Sequence, residues 1–223
     1  FGPRPVDRHI SAFQALGVQI DEVGGEFRAL RAGPLEGTAT FEAPTVGGTQ
    51  NVLLAAALGA GRVVIENAAL EPEVADLIDM LNQMGARISG AGTRTLTVDG
   101  VDRLDGVDFQ PIPDRIEAGT VMLATAATRG TVTLRGVRPE HLEAVTRKLE
   151  ETGVLVKPAG EDGLLVDASG DLQPADVTAA EYPAIATDLQ APFSAYLATL
   201  NGASVVRVRV YPARFTHLAA LRT

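Results

Sequence analysis

The chain has 223 residues, 46% of them apolar, and carries a formal net charge of −9 with no cysteine. That length fits one large domain or two small ones, and the lack of cysteine removes disulfides and thiolate metal sites from these residues and suits a cytosolic origin. The acidic balance and an aromatic content of 4% argue against a nucleic-acid surface, which needs a basic stripe or stacking rings.

No apolar run is long enough to span a bilayer, and the Ala-rich stretch 52–59 reads as a buried helix. His9, His141 and His217 are scattered without metal-ligand spacing. With no Met start and no leader pattern, a chain that opens at Phe1 and stops at Thr223 in mid-pattern reads as part of something longer.

Taken in order, the elements repeat. Residues 6–17, 74–85 and 142–153 each show apolar positions at helical spacing and close on a glycine (Gly17, Gly85, Gly153). These glycines recur about 68 residues apart and supply the left-handed position that follows a helix. Pro5, Pro72 and Pro139 stand just ahead, proline being favoured at the first helical position. Behind each helix, two short runs around a Gly- or Asp-rich turn predict a hairpin: 18–20 with 27–30, 86–88 with 95–98, and 154–156 with 164–166.

A second, Ala-rich helix type alternates with the first, at 48–61, 119–130 and 187–202, followed by strands at 62–66, 131–134 and 204–210. The repeating unit is strand, Ala-rich helix, strand, Pro-started helix, then two strands. Its expected architecture is α/β, with Ala-rich helices buried on most sides inside a layer of sheets and the Glu- and Arg-bearing helices outside. The chain then holds the tail of one unit (1–36), whole units at 37–108 and 109–168, and the start of another (169–223). The proline-rich hinge at 111–113 is the best domain boundary, giving parts of two domains, 1–110 and 111–223.

Four polar stretches interrupt this pattern. Residues 1–9 set Arg4 before a helix start, where guanidinium and helix N–H groups both suit phosphate; a solvated helix start is the simpler reading. Residues 43–51 form a strand-to-helix turn of small residues whose N–H groups could cradle phosphate, without the P-loop lysine or the Rossmann glycine spacing. Phosphate and purely structural readings stand level there. Asp114 and Glu117, behind the hinge, read first as a helix cap or an ion pair between domains. Asp188 is well placed as an N-cap. However, Pro192 would stand four residues into that helix and remove the bond to the Asp188 carbonyl, so an irregular first turn that frees the carboxylate is the competing expectation.

Residues 2–7 (Gly-Pro-Arg-Pro-Val-Asp), 113–120 (Pro-Asp-Arg-Ile-Glu-Ala-Gly-Thr), 138–142 (Arg-Pro-Glu-His-Leu) and 187–191 (Thr-Asp-Leu-Gln-Ala) together resemble the UDP-N-acetylglucosamine enolpyruvyl transferases, or 1-carboxyvinyltransferases. Residues 210–218 resemble a further motif of that family, and the likeness runs in order from end to end. The shikimate-phosphate branch of the same fold would show different sequences at these points. The resemblance implies a two-domain inside-out α/β barrel of repeated units, with the nucleotide-sugar side in residues 1–110. It implies enolpyruvyl transfer from phosphoenolpyruvate to the sugar 3-hydroxyl with release of phosphate, in the cytoplasm, as the first committed step of peptidoglycan synthesis. No cofactor, metal, nucleic acid or membrane is called for.

Carried over by position, Arg4, Pro5, Val6, Asp7 and Arg8 would meet the nucleotide sugar, with Arg4 also near the phosphate of phosphoenolpyruvate and counted as catalytic. Thr45, Val46 and Gly47 would cradle the diphosphate through backbone contacts. Asp188 would be the general base, Val210 would touch the sugar, and Arg115 and Arg214 would bring positive charge to the cleft between domains. The family's Lys-Asn pair and the loop bearing its general acid would precede Phe1, so residues 1–223 alone are expected to be inactive. Pro212 and Ala213 replace a more polar pair, and Ala186 stands where the family often has Pro. The same fold acting on another acceptor alcohol, or a non-catalytic nucleotide-sugar-binding relative, are the alternatives.

Overall fold

A computed structural model describes residues 6–211 and 214–222. The chain divides into two compact units, Phe1–Pro111 and Ile112–Thr223.

The first unit opens with α1 (Asp7–Ala15) and an antiparallel hairpin of β1 (Gln19–Val23) and β2 (Glu26–Leu30). Gly24 and Gly25 turn the hairpin at φ 63° and 82°, values that a two-residue turn between twisted strands requires. Next come β3 (Gly37–Thr40), α2 (Val46–Ala57), β4 (Arg62–Glu66), α3 (Pro72–Gln83), β5 (Arg87–Ser89) and β6 (Thr95–Asp99). They build a four-stranded sheet in the order β3-β4-β6-β5, parallel only between β3 and β4. Period-two alternation puts Val63 and Ile65 of β4 opposite Val98 and Leu96 of β6, all on the buried face. Val52 and Leu53 of α2 and Ile78 of α3 complete that core.

The second unit holds α4 (Arg115–Ala127), β7 (Thr131–Arg135), α5 (Glu143–Glu151), β8 (Leu155–Pro158) and β9 (Gly163–Asp167), with an antiparallel sheet in the order β7-β9-β8. After it, β10 (Val177–Ala179) pairs in parallel with β11 (Val206–Val208), and α6 (Gln190–Leu197) crosses between them. Met122, Leu149, Val166, Phe193 and Tyr196 form the centre. The buried Tyr196 hydroxyl donates to Thr152 Oγ1 at 2.6 Å, and Thr152 Oγ1 donates in turn to the Leu149 carbonyl at 2.6 Å. Burial pushes the Tyr196 phenol above its ordinary pKa.

Several expectations need correction. Pro72 does occupy the start of α3, but Pro139 opens a separate 3-10 turn, Pro139–His141, and α5 begins only at Glu143. The second repeat has no strand ahead of α4: Pro111 and Pro113 lack the N–H that a ladder consumes, so the parallel pair seen as β3-β4 and β10-β11 has no counterpart there. The helix expected over 187–202 is divided into a 3-10 turn, Thr187–Leu189, and the eight residues of α6. Starting at Gln190 puts Pro192 within the first helical turn, where a missing N–H costs nothing.

The Ala-rich helices are also less enclosed than their composition suggests. α2 and α4 each bury one face and leave the other open, with Leu54 51% and Val121 38% exposed. Only α6 is buried around most of its surface. The small side chains permit close packing on the buried face, as at Gly119, where an added Cβ would lie 2.7 Å from Leu189 Cδ1. They do not require it on the other.

The repeated glycines take positive φ at 81°, 101° and 95°. Their surroundings differ. A Cβ on Gly85 would meet nothing within 4 Å, whereas on Gly153 it would lie 2.5 Å from the Asp171 carbonyl oxygen. Gly85→Ala is therefore expected to cost about 1 kcal/mol and Gly153→Ala about 3 kcal/mol. Urea unfolding of the two variants measures the difference.

Candidate functional site

The first unit gathers its candidate residues at the start of α2. Thr45 is the N-cap, in extended geometry (φ −144°, ψ 120°), and its Oγ1 accepts from the Gly48 N–H at 3.3 Å. Val46 and Gly47 are the first helical residues, positions whose N–H groups have no acceptor within a helix. Both glycines of the turn answer to their neighbours. A Cβ on Gly48 would lie 2.5 Å from Thr45 Cγ2 and 2.9 Å from Phe41 Cε1; on Gly47 it would lie 3.2 Å from His9 Cε1.

The start of α1 lies against this turn. Arg8 Nη1 donates to the Pro44 carbonyl at 3.4 Å, and Asn51 Nδ2 donates to His9 Nδ1 at 2.8 Å. Val6, Asp7 and Arg8 therefore share one end of the unit with Thr45, Val46 and Gly47. Asp7 is exposed in the first turn of α1. Arg4 and Pro5 lie outside the described residues. His9 and Asn51 carried no role in the sequence, because their contact spans 42 residues. The turn can receive an anion through backbone N–H groups, with cationic and imidazole side chains beside it.

The second unit gathers its candidates around Asp188. The N-cap reading of this residue fails: no side chain caps the turn at Thr187 or the start of α6. Instead Asp188 Oδ1 meets Arg214 Nη2 at 2.8 Å, with both side chains about half exposed. Gln190, almost wholly buried, donates through Nε2 to the Arg214 carbonyl at 2.8 Å. Ser194 Oγ donates to the Gln190 carbonyl at 2.9 Å and lies 3.1 Å from His217 Nε2. The segment carrying Arg214 and His217 is thus fastened to α6 at two points. Thr187 Oγ1 and Gln190 Oε1 are buried on either side of Asp188 without a hydrogen-bond partner among the described residues. Asp188 Oδ1 is thus engaged by a cation on a carboxylate that stays about half exposed.

Val210 is half-buried just after β11; Pro212 and Ala213 lie outside the described residues. Arg115 has its guanidinium carbon 5.5 Å from the Tyr182 ring centroid, a cation–π distance. Together with His141, Arg147 and Leu189 these two line a cavity of about 120 Å³, too small for a nucleotide sugar. Asp114 caps α4, its Oδ1 accepting from the N–H groups of Ile116 at 2.7 Å and Glu117 at 3.2 Å. Among the described residues no group of acidic, His or Cys side chains is arranged to hold a metal, and no helix is long and apolar enough to cross a membrane.

Residues 1–223 match the family profile of EPSP synthase (3-phosphoshikimate 1-carboxyvinyltransferase). Among curated relatives, the UDP-N-acetylglucosamine 1-carboxyvinyltransferase of Deinococcus radiodurans is 54% identical over 99% of this chain, and that of Thermus thermophilus is 49% identical over 99%. The chain spans 52% of the length of each. Among solved structures, the enolpyruvyl transferase NikO from Streptomyces tendae superposes with a TM-score of 0.82 at 23% identity, over 98% of this chain and 55% of that one. EPSP synthase from Acinetobacter baumannii does so with a TM-score of 0.59 at 19% identity, over 91% and 48%. These two likenesses establish the fold. The curated relatives are 46–54% identical to this chain.

The role of Asp114 as a cap has a direct check. Asp114→Ala is expected to lower stability by about 1 kcal/mol, and Asp114→Asn to restore most of that. Chemical denaturation of both variants reads it out.

Proposed function

The chain belongs to the EPSP synthase family of enolpyruvyl transferases, and from that premise we propose that the protein containing it transfers the enolpyruvyl group of phosphoenolpyruvate to the 3-hydroxyl of UDP-N-acetylglucosamine. Phosphate is the second product, and the step commits the sugar to peptidoglycan synthesis in the cytoplasm. The observation that carries this reading is the 54% identity over 99% of the chain to a relative named for that reaction. The half-exposed Asp188–Arg214 pair agrees with it.

In this reading the first unit, residues 1–111, is part of the nucleotide-sugar domain. The diphosphate lies against the Val46 and Gly47 N–H groups, where the helix dipole and the unpaired donors both favour negative charge. Val6, Asp7 and Arg8 line the same end, and together with Arg4 and Pro5 they meet the nucleotide. The second unit supplies the proton acceptor. Arg214 holds Asp188 by Oδ1, which fixes the plane of the carboxylate and directs Oδ2 toward the sugar 3-hydroxyl. As that hydroxyl attacks, a C–O bond forms at C2 of phosphoenolpyruvate, its proton passes to Asp188, and the C2–C3 double bond opens as C3 takes a proton from a general acid elsewhere in the full-length protein. The bond from C2 to the phosphate oxygen then breaks, phosphate leaves with the electron pair, and C3 gives up a proton as the C2–C3 double bond reforms. Val210 contacts the sugar, and Arg115, Arg214 and Arg4 supply positive charge for the anionic groups.

Removing the base separates chemistry from binding. In the full-length protein, Asp188→Ala is expected to lower kcat by about 10³-fold while the affinity for UDP-N-acetylglucosamine changes by less than about fivefold. Phosphate release and titration calorimetry give the two numbers. Turnover within about threefold of the parent would remove Asp188 from the role of base.

A further inference from the structure

The contact between His9 and Asn51 extends the reading of the Thr45–Gly47 turn as a diphosphate subsite, and it rests on that reading. Asn51 Nδ2 donates to His9 Nδ1 at 2.8 Å. An amide nitrogen can only donate, so Nδ1 is the acceptor and the neutral imidazole carries its proton on Nε2. The edge of the ring that bears this proton is turned to the first turn of α2. A Cβ placed on Gly47 would lie 3.2 Å from His9 Cε1 and 3.5 Å from Nε2.

The backbone N–H groups of Val46 and Gly47 belong to the same turn, and neither has an acceptor within the helix. Arg8, one residue before His9, is anchored to the Pro44 carbonyl at 3.4 Å, which holds this part of α1 against the turn. His9 is half-buried, so the ring has limited freedom to turn over, and Asn51 lies one helical turn beyond Gly47.

We propose that Asn51 is a positioning residue for the sugar-nucleotide subsite. It fixes His9 as the Nε2–H tautomer, so that the imidazole adds a side-chain donor to the backbone donors receiving the diphosphate. With the proton on Nδ1 instead, Nε2 would turn a lone pair toward phosphate oxygens, an acceptor facing acceptors. Gly47 has a second duty on this account: any side chain there would displace the ring from the turn.

The test uses the full-length protein at about pH 9, above the range in which imidazoles commonly titrate. Nitrogen NMR of the His9 ring reports the tautomer, and calorimetry with UDP-N-acetylglucosamine reports affinity. Parent protein is expected to show Nε2–H. Asn51→Asp, whose carboxylate can only accept, is expected to show Nδ1–H and to bind the nucleotide sugar about tenfold more weakly. In a His9→Ala background the same substitution is expected to change affinity by less than about twofold, because the route through the ring is gone. Asn51→Leu gives a mixed tautomer and an intermediate loss.

Three results would overturn the proposal: an Nδ1–H ring in the parent, a reversed tautomer with unchanged affinity, or a tenfold loss that persists without His9 and so reports charge repulsion. Failure of the parent to bind UDP-N-acetylglucosamine overturns the functional reading, and the role of Asn51 with it. Failure of Asn51→Asp to weaken an existing affinity overturns the role of Asn51 alone.

Discussion

Helix starts leave backbone N–H groups without acceptors, and the way each Ala-rich helix meets that constraint decides what its repeat can do. α2 is capped by Thr45, which satisfies the Gly48 N–H and leaves the two before it without an acceptor in the helix. α4 is capped by Asp114, whose carboxylate takes two N–H groups at once and fills the place an anion would want. α6 has no side-chain cap; a 3-10 turn precedes it, and its first helical turn contains Pro192. One pattern thus yields a turn with two N–H groups lacking a helical acceptor, a closed structural start, and a start that releases a carboxylate for other contacts.

The release of Asp188 depends on long-range support. Its partner, Arg214, follows β11, and the backbone there is held by Gln190 from α6 and by the Ser194–His217 contact. Gln190 sits two residues after Asp188, so the same short stretch supplies the carboxylate and the clamp for the cation that orients it. Thr187 Oγ1 and Gln190 Oε1, on the same short stretch, are buried without a hydrogen-bond partner among the described residues. In the first unit the support is of the same kind: α1 is bound to the start of α2 through Arg8, His9 and Asn51 as well as through Ala12 and Leu16 in the core.

The repeat was legible because its signals are local. A glycine closes each outer helix and takes positive φ in all three copies, and a hairpin follows each one. Where the copies diverge, local signals misled. Pro139 looked like Pro72, yet it begins a 3-10 turn and the α-helix waits until Glu143, because proline at a chain turn satisfies either geometry. The Ala content of α2 and α4 suggested enclosure on most sides, although Leu54 and Val121 remain open. Composition records how closely a helix can be approached, and not from how many directions it is.

Sequence by itself determined the alternation of two helix types, the hairpins, the hinge prolines and the family, because each follows from backbone preference or from short contiguous signatures. It left Asp188 between a cap and a free carboxylate, and the 43–51 turn between structure and phosphate. Tertiary structure decided the first by bringing Arg214 to 2.8 Å from Asp188 Oδ1. It sharpened the second by folding His9 back onto Gly47 and giving its ring a donor in Asn51. Such contacts join residues far apart in the chain, and their existence depends on packing distances that no local pattern encodes.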